Sequence, residues 1–200
     1  NFEHIVIDGK SKDSTIRILK KKISSISYLE SSKDKNLWDA MNKGIKNSRG
    51  EIIGILNSDD VFYSNALSIV NKYFKNKNVD FLFGTVKKKK IYHGFYPKKI
   101  YYRFNIFPSH SVGFFIRKKI HNKIGLYDKN LNYCADYDLI YRLLRNNYTG
   151  YATKKKEILG KFYVGGISGE LNILKKLYYE SKVRLKNKQN FVFVMILFCL

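Results

Sequence analysis

Two adjacent carboxylates, Asp59 and Asp60, stand two residues after a short apolar segment over residues 52–56. That segment is rich in β-branched residues and too short for a helix, which predicts a buried strand in a parallel sheet covered on both faces. Ligands of open α/β sheets bind at the carboxyl ends of the strands, and a divalent cation would compensate the paired charges. The alternative is that Ser58 and Asp59 cap a helix that starts near Ser64. The segment alone leaves both interpretations open.

Asp8 is another carboxylate at the end of a predicted strand. Strand 4–7 delivers it to the polar, glycine-containing turn 8–13, and a helix is predicted over residues 14–22. At that position its oxygens could accept a hydrogen bond from a nucleobase N–H or a ribose hydroxyl. The alternative is an Asp-Gly turn without a binding role, which any protein can contain.

Asp136 opens a further predicted helix. It lies in line with Ile140 and Leu143, so it faces the covered side of that helix. The sequence does not choose between a helix cap and a carboxylate that faces a cleft. On the opposite side, Asp138 and Arg142 are spaced for a surface ion pair worth roughly a few tenths of a kcal/mol.

Predicted strands alternate with predicted helices as far as residue 85, which indicates an α/β sheet. Further strands are predicted over residues 26–30, 80–86, 112–116 and 157–164, and further helices over residues 36–47, 64–75, 118–123, 136–147 and 170–188. The four lysines of 87–90 are interpreted as a solvated turn rather than a binding motif. Residues 91–107 are interpreted as a mobile loop over the cleft.

The composition indicates a folded, strongly basic protein. Its hydrophobic fraction is 44% and its net charge is +22. Such a charge attracts nucleic acid, anionic membranes and phosphorylated substrates. Because the excess is mostly Lys and spread along the chain, a nucleotide bias of the source genome together with an anionic membrane surface is favoured over nucleic-acid binding. Cys134, Cys199 and the four histidines show no disulfide or zinc spacing, which favours a reducing compartment.

Residues 169–200 are predicted to form a basic amphipathic helix and an apolar tail, following a domain over residues 1–168. The ten apolar residues 191–200 are too few to span a bilayer. An interfacial anchor, or the first half of a spanning helix, is favoured over a core strand. We therefore expect a cytoplasmic protein that lies peripherally on the inner face of the plasma membrane, and a sequence that is a fragment at both ends.

Five short segments, each weak alone, form an ordered pattern. They are residues 7–15 (IDGKSKDST), 38–45 (WDAMNKGI), 56–60 (LNSDD), 135–139 (ADYDL, followed by Arg142) and 165–168 (GGIS). In this order and spacing the chain resembles the family 2 glycosyltransferases of the GT-A fold over residues 4–168. The resemblance implies an α/β fold with a Rossmann-like mixed sheet flanked by helices.

The resemblance implies roles residue by residue. Asp136 matches the catalytic base of the family. Asn57-Ser58-Asp59 matches the family's DXD segment, in which Asp59 would hold Mn²⁺ or Mg²⁺ on the donor diphosphate with support from Asp60. The complete predicted set is Asp8, Asp39, Asn42, Asn57, Asp59 and Asp60 on the donor side and His110 on the acceptor side.

The resemblance also implies a reaction. It is the metal-dependent, inverting transfer of a hexosyl or N-acetylhexosaminyl group from a nucleotide-sugar, with a UDP-sugar favoured, to a saccharide or lipid-linked acceptor in cell-surface polysaccharide synthesis. Asp8 would bind the uracil or other base. Two departures are Asn57 in place of the first DXD aspartate and the lack of the family's opening strand and helix before Asn1. A second hypothesis, motivated by the charge, is a non-catalytic module on a degenerate transferase fold that binds a membrane surface or nucleic acid.

Overall fold

The structure, a computed structural model, describes residues 2–76, 78–103, 106–163 and 172–199. Its helices are α1 (Thr15–Lys21), α2 (Leu37–Asn47), α3 (Ala66–Asn76), α4 (Lys118–Ile124), α5 (Ala135–Arg145), α6 (Ile173–Lys186) and α7 (Phe191–Cys199). Its strands are β1 (Ile5–Asp8), β2 (Tyr28–Ser31), β3 (Ile52–Gly54), β4 (Val61–Phe62), β5 (Phe81–Phe83), β6 (Thr85–Lys87), β7 (Ile91–Tyr92), β8 (Phe114–Arg117), β9 (Gly150–Ala152) and β10 (Ile158–Lys161). Short 3-10 helices cover Ile23–Ser25 and Pro97–Tyr101.

The described strands form three sheets. β1 and β2 pair in parallel, and the other two sheets have the orders β3-β8-β5-β9 and β4-β10-β6-β7. The prediction of a parallel sheet around the strand before Asp59 is wrong, because β3 pairs with β8 in the antiparallel direction. Ile53 is buried but Gly54 is exposed, so β3 is also less covered than expected. A short apolar run indicates burial, but it carries no information about which strand will be its neighbour.

The predicted strand 80–86 is in fact two strands that belong to different sheets. Gly84 lies between β5 and β6, and its N–H donates to the carbonyl of Gly113 at 2.6 Å. A Cβ at Gly84 would overlap the side chain of Leu159. The chain therefore changes sheet where glycine permits a close approach. β9, which pairs with β5 in parallel, was not predicted.

The described part of the segment 91–107, residues 91–103 and 106–107, is anchored to the core, in contrast to the predicted mobile loop. The segment contains β7 and the 3-10 helix, and Ile100 and Ile106 are fully buried. The ring of Phe107 stacks on Phe83 with 4.7 Å between centroids. Side chains pointing inward at irregular spacing explain why no periodicity was visible in the sequence.

Two apolar clusters stabilise the fold. The larger one joins α2, α4 and α5 to the sheet β3-β8-β5-β9, and its buried residues include Trp38, Met41, Ile53, Phe81, Phe114, Ile120, Leu139 and Val183. The smaller one packs α3 on the other face of this sheet and on β10 through Ala66, Val70, Phe74, Leu82, Phe115 and Leu159. Together they fix the strand ends that carry the candidate site residues.

The C-terminal segment is helical. Val183 of α6 is fully buried in the larger cluster, whereas α7 leaves Phe191, Val192 and Ile196 more than half exposed. The core-strand alternative for the apolar tail is therefore wrong. Within the described residues, none of the helices combines the length and apolarity that crossing a membrane requires. The predicted turn 165–168, and the boundary placed between residues 168 and 169, lie outside the described residues.

Candidate active site

The two adjacent carboxylates lie in a tight turn between β3 and β4. The N–H of Asp60 donates to the carbonyl of Asn57 at 3.1 Å, and the N–H of Asn57 donates to the hydroxyl of Ser111 at 3.0 Å. Asp59 is exposed, whereas Asp60 is buried. Because α3 begins only after β4, the alternative in which Ser58 and Asp59 cap this helix is wrong.

Asp60 has one carboxylate oxygen without a partner. Its Oδ1 accepts the N–H of Tyr163 at 3.0 Å, but its Oδ2 is buried and has no hydrogen-bond partner among the described residues. Burial raises the pKa of Asp60 above its ordinary value, although the nearby hydroxyl of Ser111 and the N–H of Tyr163 act in the opposite direction. An unpartnered buried oxygen costs about 1–3 kcal/mol, so a cation at this turn would relieve an existing penalty.

The turn offers the oxygen ligands that Mg²⁺ or Mn²⁺ prefers. Asp59 is accessible, and the unpartnered oxygen of Asp60 is adjacent in the chain. Within the described ranges, no group of three or more Asp, Glu, His or Cys side chains could hold an ion by itself. The residues therefore fit an ion that takes one or two protein ligands and completes its coordination with phosphate and water, as Mg²⁺ commonly does.

Asp8 ends β1 and is buried. Its Oδ2 accepts the N–H of Ser11 at 3.0 Å and the hydroxyl of Ser31 at 2.6 Å, and its Oδ1 accepts the hydroxyl of Ser11. Burial acts to raise the pKa of Asp8, but the hydrogen bonds from Ser11 and Ser31 outweigh it, so the pKa lies below its ordinary value. Asp8 is thus a fixed anionic acceptor at the carboxyl end of its strand, with a lone pair left on Oδ1 for a ligand.

Asp136 lies in the first turn of α5. Cys134 occupies the N-cap position in a left-handed conformation (φ 63°) and makes no capping bond, so Asp136 is not the cap residue. The N–H of Tyr137 donates to Oδ1 of Asp136 at 2.9 Å. Asp136 is half-buried, and this burial raises its pKa to about 6 against the opposing effect of backbone hydrogen bonds. A carboxylate with a pKa near the working pH is suited to accept a proton.

Tyr127 connects several of the predicted site residues. Its hydroxyl forms a 2.7 Å hydrogen bond with Nε2 of His110, and its backbone N–H and carbonyl bond the side chain of Asn42 at 3.0 and 2.8 Å. Trp38 stacks on its ring with 5.5 Å between centroids. Burial and, secondly, the negative charge of Asp136 raise the pKa of Tyr127 well above its usual range, which places that carboxylate near the phenol.

His110 lies in the interior. Burial lowers its pKa to about 3, so the ring is neutral at physiological pH, and it stacks on Phe114 with 5.2 Å between centroids. Because Nε2 already bonds Tyr127, the ring holds that phenol in place. Contact between His110 and an acceptor stays a prediction.

Asp39 and Asn42 both bond the loop over residues 127–132, which leads into α5. Oδ1 of Asp39 accepts a hydrogen bond from Nζ of Lys129 at 3.1 Å, and its Oδ2 accepts one from the N–H of Lys35 at 3.0 Å. The backbone hydrogen bond from Lys35 and then the side-chain bond from Lys129 lower the pKa of Asp39. Both residues therefore position the loop before the candidate base, and their contact with a donor stays a prediction.

The predicted surface pair between Asp138 and Arg142 is buried instead. Asp138 is fully buried and accepts Nε of Arg142 at 3.0 Å and Nδ2 of Asn187 at 2.9 Å, with Nζ of Lys186 at 3.1 Å. The Arg142 guanidinium also donates to the carbonyls of residues 124–126. The supposed solvent side of α5 is covered by α6 and the residues after it, which the helical pattern did not reveal.

A short series of hydrogen bonds leads from Tyr127, whose pKa is affected by the charge of the candidate base, to the acidic turn. His110 bonds Tyr127 beside Asp136, and the next residue, Ser111, bonds Asn57 in the turn. These two regions are therefore held together by the segment before β8. Neither Tyr127 nor Ser111 was singled out from the sequence, because a single Tyr or Ser in a loop has no pattern of its own.

Asp8 is not part of this series of hydrogen bonds. It belongs to the separate sheet β1-β2, and no hydrogen bond or ion pair within the part of the chain that the structure describes joins it to Asp59 or Asp136. α2 connects the two parts, since it packs against β1 while its Asn42 holds Tyr127.

Comparison with known proteins places this arrangement in a family. The model of the family described as Glycosyl transferase family 2 matches residues 1–152. An uncharacterized glycosyltransferase of Rickettsia typhi is 32% identical over 161 residues, which cover 72% of this chain and 50% of that protein. One of Methanocaldococcus jannaschii is 28% identical over 207 residues, covering 94% of this chain and 70% of that protein. The chain thus spans about half the length of the Rickettsia relative.

Solved structures show the same fold at low sequence identity. Residues 1–349 of Staphylococcus aureus TarS in complex with UDP-GlcNAc match with a TM-score of 0.70 at 15% identity, over 98% of this chain and 61% of that chain. A Pyrobaculum calidifontis mannosyltransferase in complex with GDP-Man and Mn²⁺ matches with a TM-score of 0.63 at 12% identity, over 92% and 53% of the two chains. The expected GT-A-like α/β fold is confirmed.

Proposed function

Because the chain belongs to glycosyl transferase family 2, we propose that it transfers a sugar, with inversion, from a nucleotide-sugar to a hydroxyl of a saccharide or lipid-linked acceptor. The observation that carries this proposal is the half-buried carboxylate of Asp136, whose pKa burial raises to about 6 beside the Tyr127 network. A hexosyl or N-acetylhexosaminyl group from a UDP-sugar is the favoured donor, in keeping with the UDP-GlcNAc bound to TarS.

Asp136 would act as the general base. Its ionised carboxylate takes the proton of the acceptor hydroxyl while that oxygen forms a bond to the anomeric carbon. The bond from the same carbon to the diphosphate oxygen breaks on the opposite side, and the electron pair leaves with the nucleoside diphosphate. A displacement in line inverts the anomeric centre. Burial raises the pKa of Asp136, so its ionised carboxylate is a stronger base than an exposed carboxylate and accepts a proton more readily.

Asp59 would hold Mn²⁺ or Mg²⁺ with the support of Asp60. When bound, the ion neutralises charge on the departing diphosphate. The side chain of Asp59 is exposed and that of Asn57 is half-buried. The buried Oδ2 of Asp60 has no hydrogen-bond partner among the described residues. Asp8, held by two serines, would accept from the base of the donor.

Calorimetry of the full chain with UDP-GlcNAc, UDP-glucose and GDP-mannose in the presence of Mn²⁺ tests the donor class. Wild type should bind at least one of them, and Asp59→Ala should remove the part of the binding that depends on Mn²⁺. Glu51→Gln is the matched control, because Glu51 is an exposed acid at the other end of β3. Equal Mn²⁺-dependent binding by wild type and Asp59→Ala would refute the metal assignment.

We also propose that α6 and α7 bind an anionic membrane surface, which would place the protein peripherally at the inner face of the plasma membrane. The exposed apolar side chains on these helices are Ile173, Leu174, Tyr178, Leu185, Phe191, Val192, Phe193, Met195 and Ile196. The exposed lysines on or beside them are Lys175, Lys176, Lys182, Lys186 and Lys188. Apolar insertion combined with attraction to anionic headgroups is the usual basis of interfacial binding. Access to a lipid-linked acceptor in surface polysaccharide synthesis would follow.

The non-catalytic alternative makes a different prediction. A nucleic-acid-binding module would bind DNA or RNA with strong salt dependence and would give no calorimetric signal with any nucleotide-sugar plus Mn²⁺. That pair of results would replace the transferase proposal.

A further inference from the structure

One row of residues crosses three neighbouring strands at the acidic turn. Lys161 of β10 is opposite Val61 of β4 on one side and Lys87 of β6 on the other. The next residues at this edge are Asp60, before β4, and Lys88, after β6. Two strand spacings of about 4.8 Å place the backbones of Asp60 and Lys88 roughly 10 Å apart. The two side chains can largely bridge this distance.

The ends of this row are tied together by hydrogen bonds. The N–H of Phe162 donates to the carbonyl of Lys87 at 2.8 Å, and the N–H of Tyr163 donates to Oδ1 of Asp60 at 3.0 Å. Lys88 begins the tight turn between β6 and β7, where its N–H donates to the carbonyl of Lys90 at 2.9 Å. The position of Lys88 beside the acidic turn is therefore built into the sheet.

Lys88 differs from its neighbours in the lysine run. Its Nζ lies 4.4 Å from the ring centroid of Phe162 and 4.9 Å from that of Tyr92, and the side chain is half-buried. Lys89 and Lys90 are exposed. Aromatic faces hold an ammonium in place without neutralising it. The interpretation of the run as a solvated turn is wrong for Lys88.

The charge of Lys88 is not neutralised by direct contact within the described residues. Among these residues, no carboxylate oxygen lies within 4.0 Å of the Nζ of Lys88. The carboxylate that acts on its charge is the more distant Asp60. Burial lowers the pKa of Lys88, and the charge of Asp60 opposes that shift. A fixed, partly dehydrated cation next to the turn that would hold the metal is placed to receive an anion.

We infer that Lys88 binds a phosphate of the donor diphosphate and stays bound to the nucleoside diphosphate as it leaves. The inference rests on the proposed transfer and adds a second positive charge to the one supplied by the metal. A Lys ammonium is a compact point charge that binds phosphate well. Held in advance in a partly dry position, it stabilises the negative charge that grows on the diphosphate during transfer.

Calorimetry with UDP and uridine, and with GDP and guanosine, in the presence of Mn²⁺ isolates the contribution of the diphosphate. Lys88→Met keeps the aliphatic chain between the rings and removes the charge. It should weaken binding of the diphosphate about 10- to 100-fold, the range of a charged hydrogen bond, and leave nucleoside binding unchanged. Lys88→Arg should retain most of the affinity. Lys89→Met is the matched control and should bind as wild type does.

Binding of Mn²⁺ alone separates a phosphate-binding role of Lys88 from a structural one. Loss of a structural role would not strengthen Mn²⁺ binding. Removing a positive charge beside Asp60 should strengthen Mn²⁺ binding by Lys88→Met, even though diphosphate binding weakens. Thermal unfolding confirms that each variant folds, and Lys88→Gln replaces Lys88→Met if the latter does not.

Two results separate the possible failures. If wild type binds UDP or GDP and Lys88→Met keeps the same ratio of diphosphate to nucleoside affinity, Lys88 does not bind the diphosphate and the proposed function still stands. If wild type binds neither nucleotide, the proposed function fails, and the role of Lys88 fails with it.

Discussion

The carboxylate of Asp136 lies where its charge is poorly solvated. Its first-turn position resembles that of an ordinary helix-capping acid, and only the burial around it changes what it can do. The sequence showed that Asp136 shares a face with Ile140 and Leu143. It did not show Tyr127, which arrives from a loop and whose own pKa is raised in part by Asp136. Proposing Asp136 as the base from the sequence therefore depended on the family resemblance, whereas the cause of its raised pKa required the fold.

Asp136→Asn should make the protein more stable at high pH. Burial raises the pKa of Asp136 from 3.8 to about 6, so the folded chain binds more protons than the unfolded chain between these values. Wild type therefore loses stability as the pH rises from about 4 to about 6. Because Asn does not ionise, the variant avoids this loss and should gain about 3 kcal/mol in free energy of unfolding above pH 6, and almost nothing below pH 4.

Denaturant unfolding at pH 4 and pH 8 measures this difference. Asp13→Asn serves as the control, because Asp13 is exposed and hydrogen bonds from Thr15 lower its pKa. It should not stabilise the protein at pH 8. A gain for Asp136→Asn that is the same at both pH values would contradict the raised pKa.

Asn42→Ala should impair transfer through the loop that precedes α5. Asn42 satisfies both backbone groups of the buried Tyr127, and leaving them unpaired costs about 1–3 kcal/mol each. Because the loop leads to Asp136, kcat should fall while the affinity for the donor changes little. Steady-state kinetics and calorimetry give the two quantities. A loss confined to donor affinity would instead support the donor-side role predicted from the sequence.

At the scale of elements, which segments form strands and helices was largely predictable, but how the strands pair was not. The run before Asp59 is apolar and β-branched, so its strand was visible, yet its antiparallel partner β8 lies some sixty residues further along the chain. Gly84 divides a continuous apolar run because Leu159, from a distant strand, occupies the space above it. Pairing and breaks depend on such distant residues, which local periodicity does not contain.

The buried pair of α5 shows the same limit and leads to a prediction. Arg142→Ala would leave Asp138 fully buried with less compensation and would free the carbonyls of residues 124–126. Breaking one side of a buried pair typically costs about 3–5 kcal/mol, and Lys186 and Asn187 should hold the loss near the lower value. Thermal and denaturant unfolding measure it, with the exposed Arg17→Ala as control. A loss below about 1 kcal/mol, typical of a surface pair, would contradict the burial of this pair.

At the scale of the whole molecule, charge and exposed apolar area are unevenly shared. The net charge of +22 is spread over the chain, but α7 combines adjacent exposed lysines with an apolar surface that includes Phe191 and Ile196. The resemblance predicted the fold class correctly because it rests on several ordered segments together. It could not predict the arrangement of α6 and α7, which lie after the matched residues 1–152.

Replacing Phe191 and Ile196 together by Ser should reduce binding to vesicles that contain anionic lipid. Each side chain contributes apolar area, so the bound fraction should fall by roughly tenfold or more in co-sedimentation. Binding by wild type should weaken with added salt and with neutral vesicles. Phe2→Ser removes an even more exposed aromatic ring at the other end of the chain and should have no effect. Equal binding to neutral and anionic vesicles would contradict the electrostatic part of the proposal.

Single-turnover transfer of a labelled sugar tests the role of Asp136 most directly. Wild type and Asp136→Asn are compared between pH 5 and pH 8, with the donor that calorimetry identifies. Wild type should slow about tenfold per pH unit below pH 6, because the carboxylate must be ionised to take the proton, and should level off above it. Asp136→Asn should bind the donor normally and, above pH 6, transfer about 10²- to 10⁴-fold more slowly than wild type, without the decline of the wild-type rate below pH 6. Transfer by Asp136→Asn at the wild-type rate, with the same pH profile, would contradict the account.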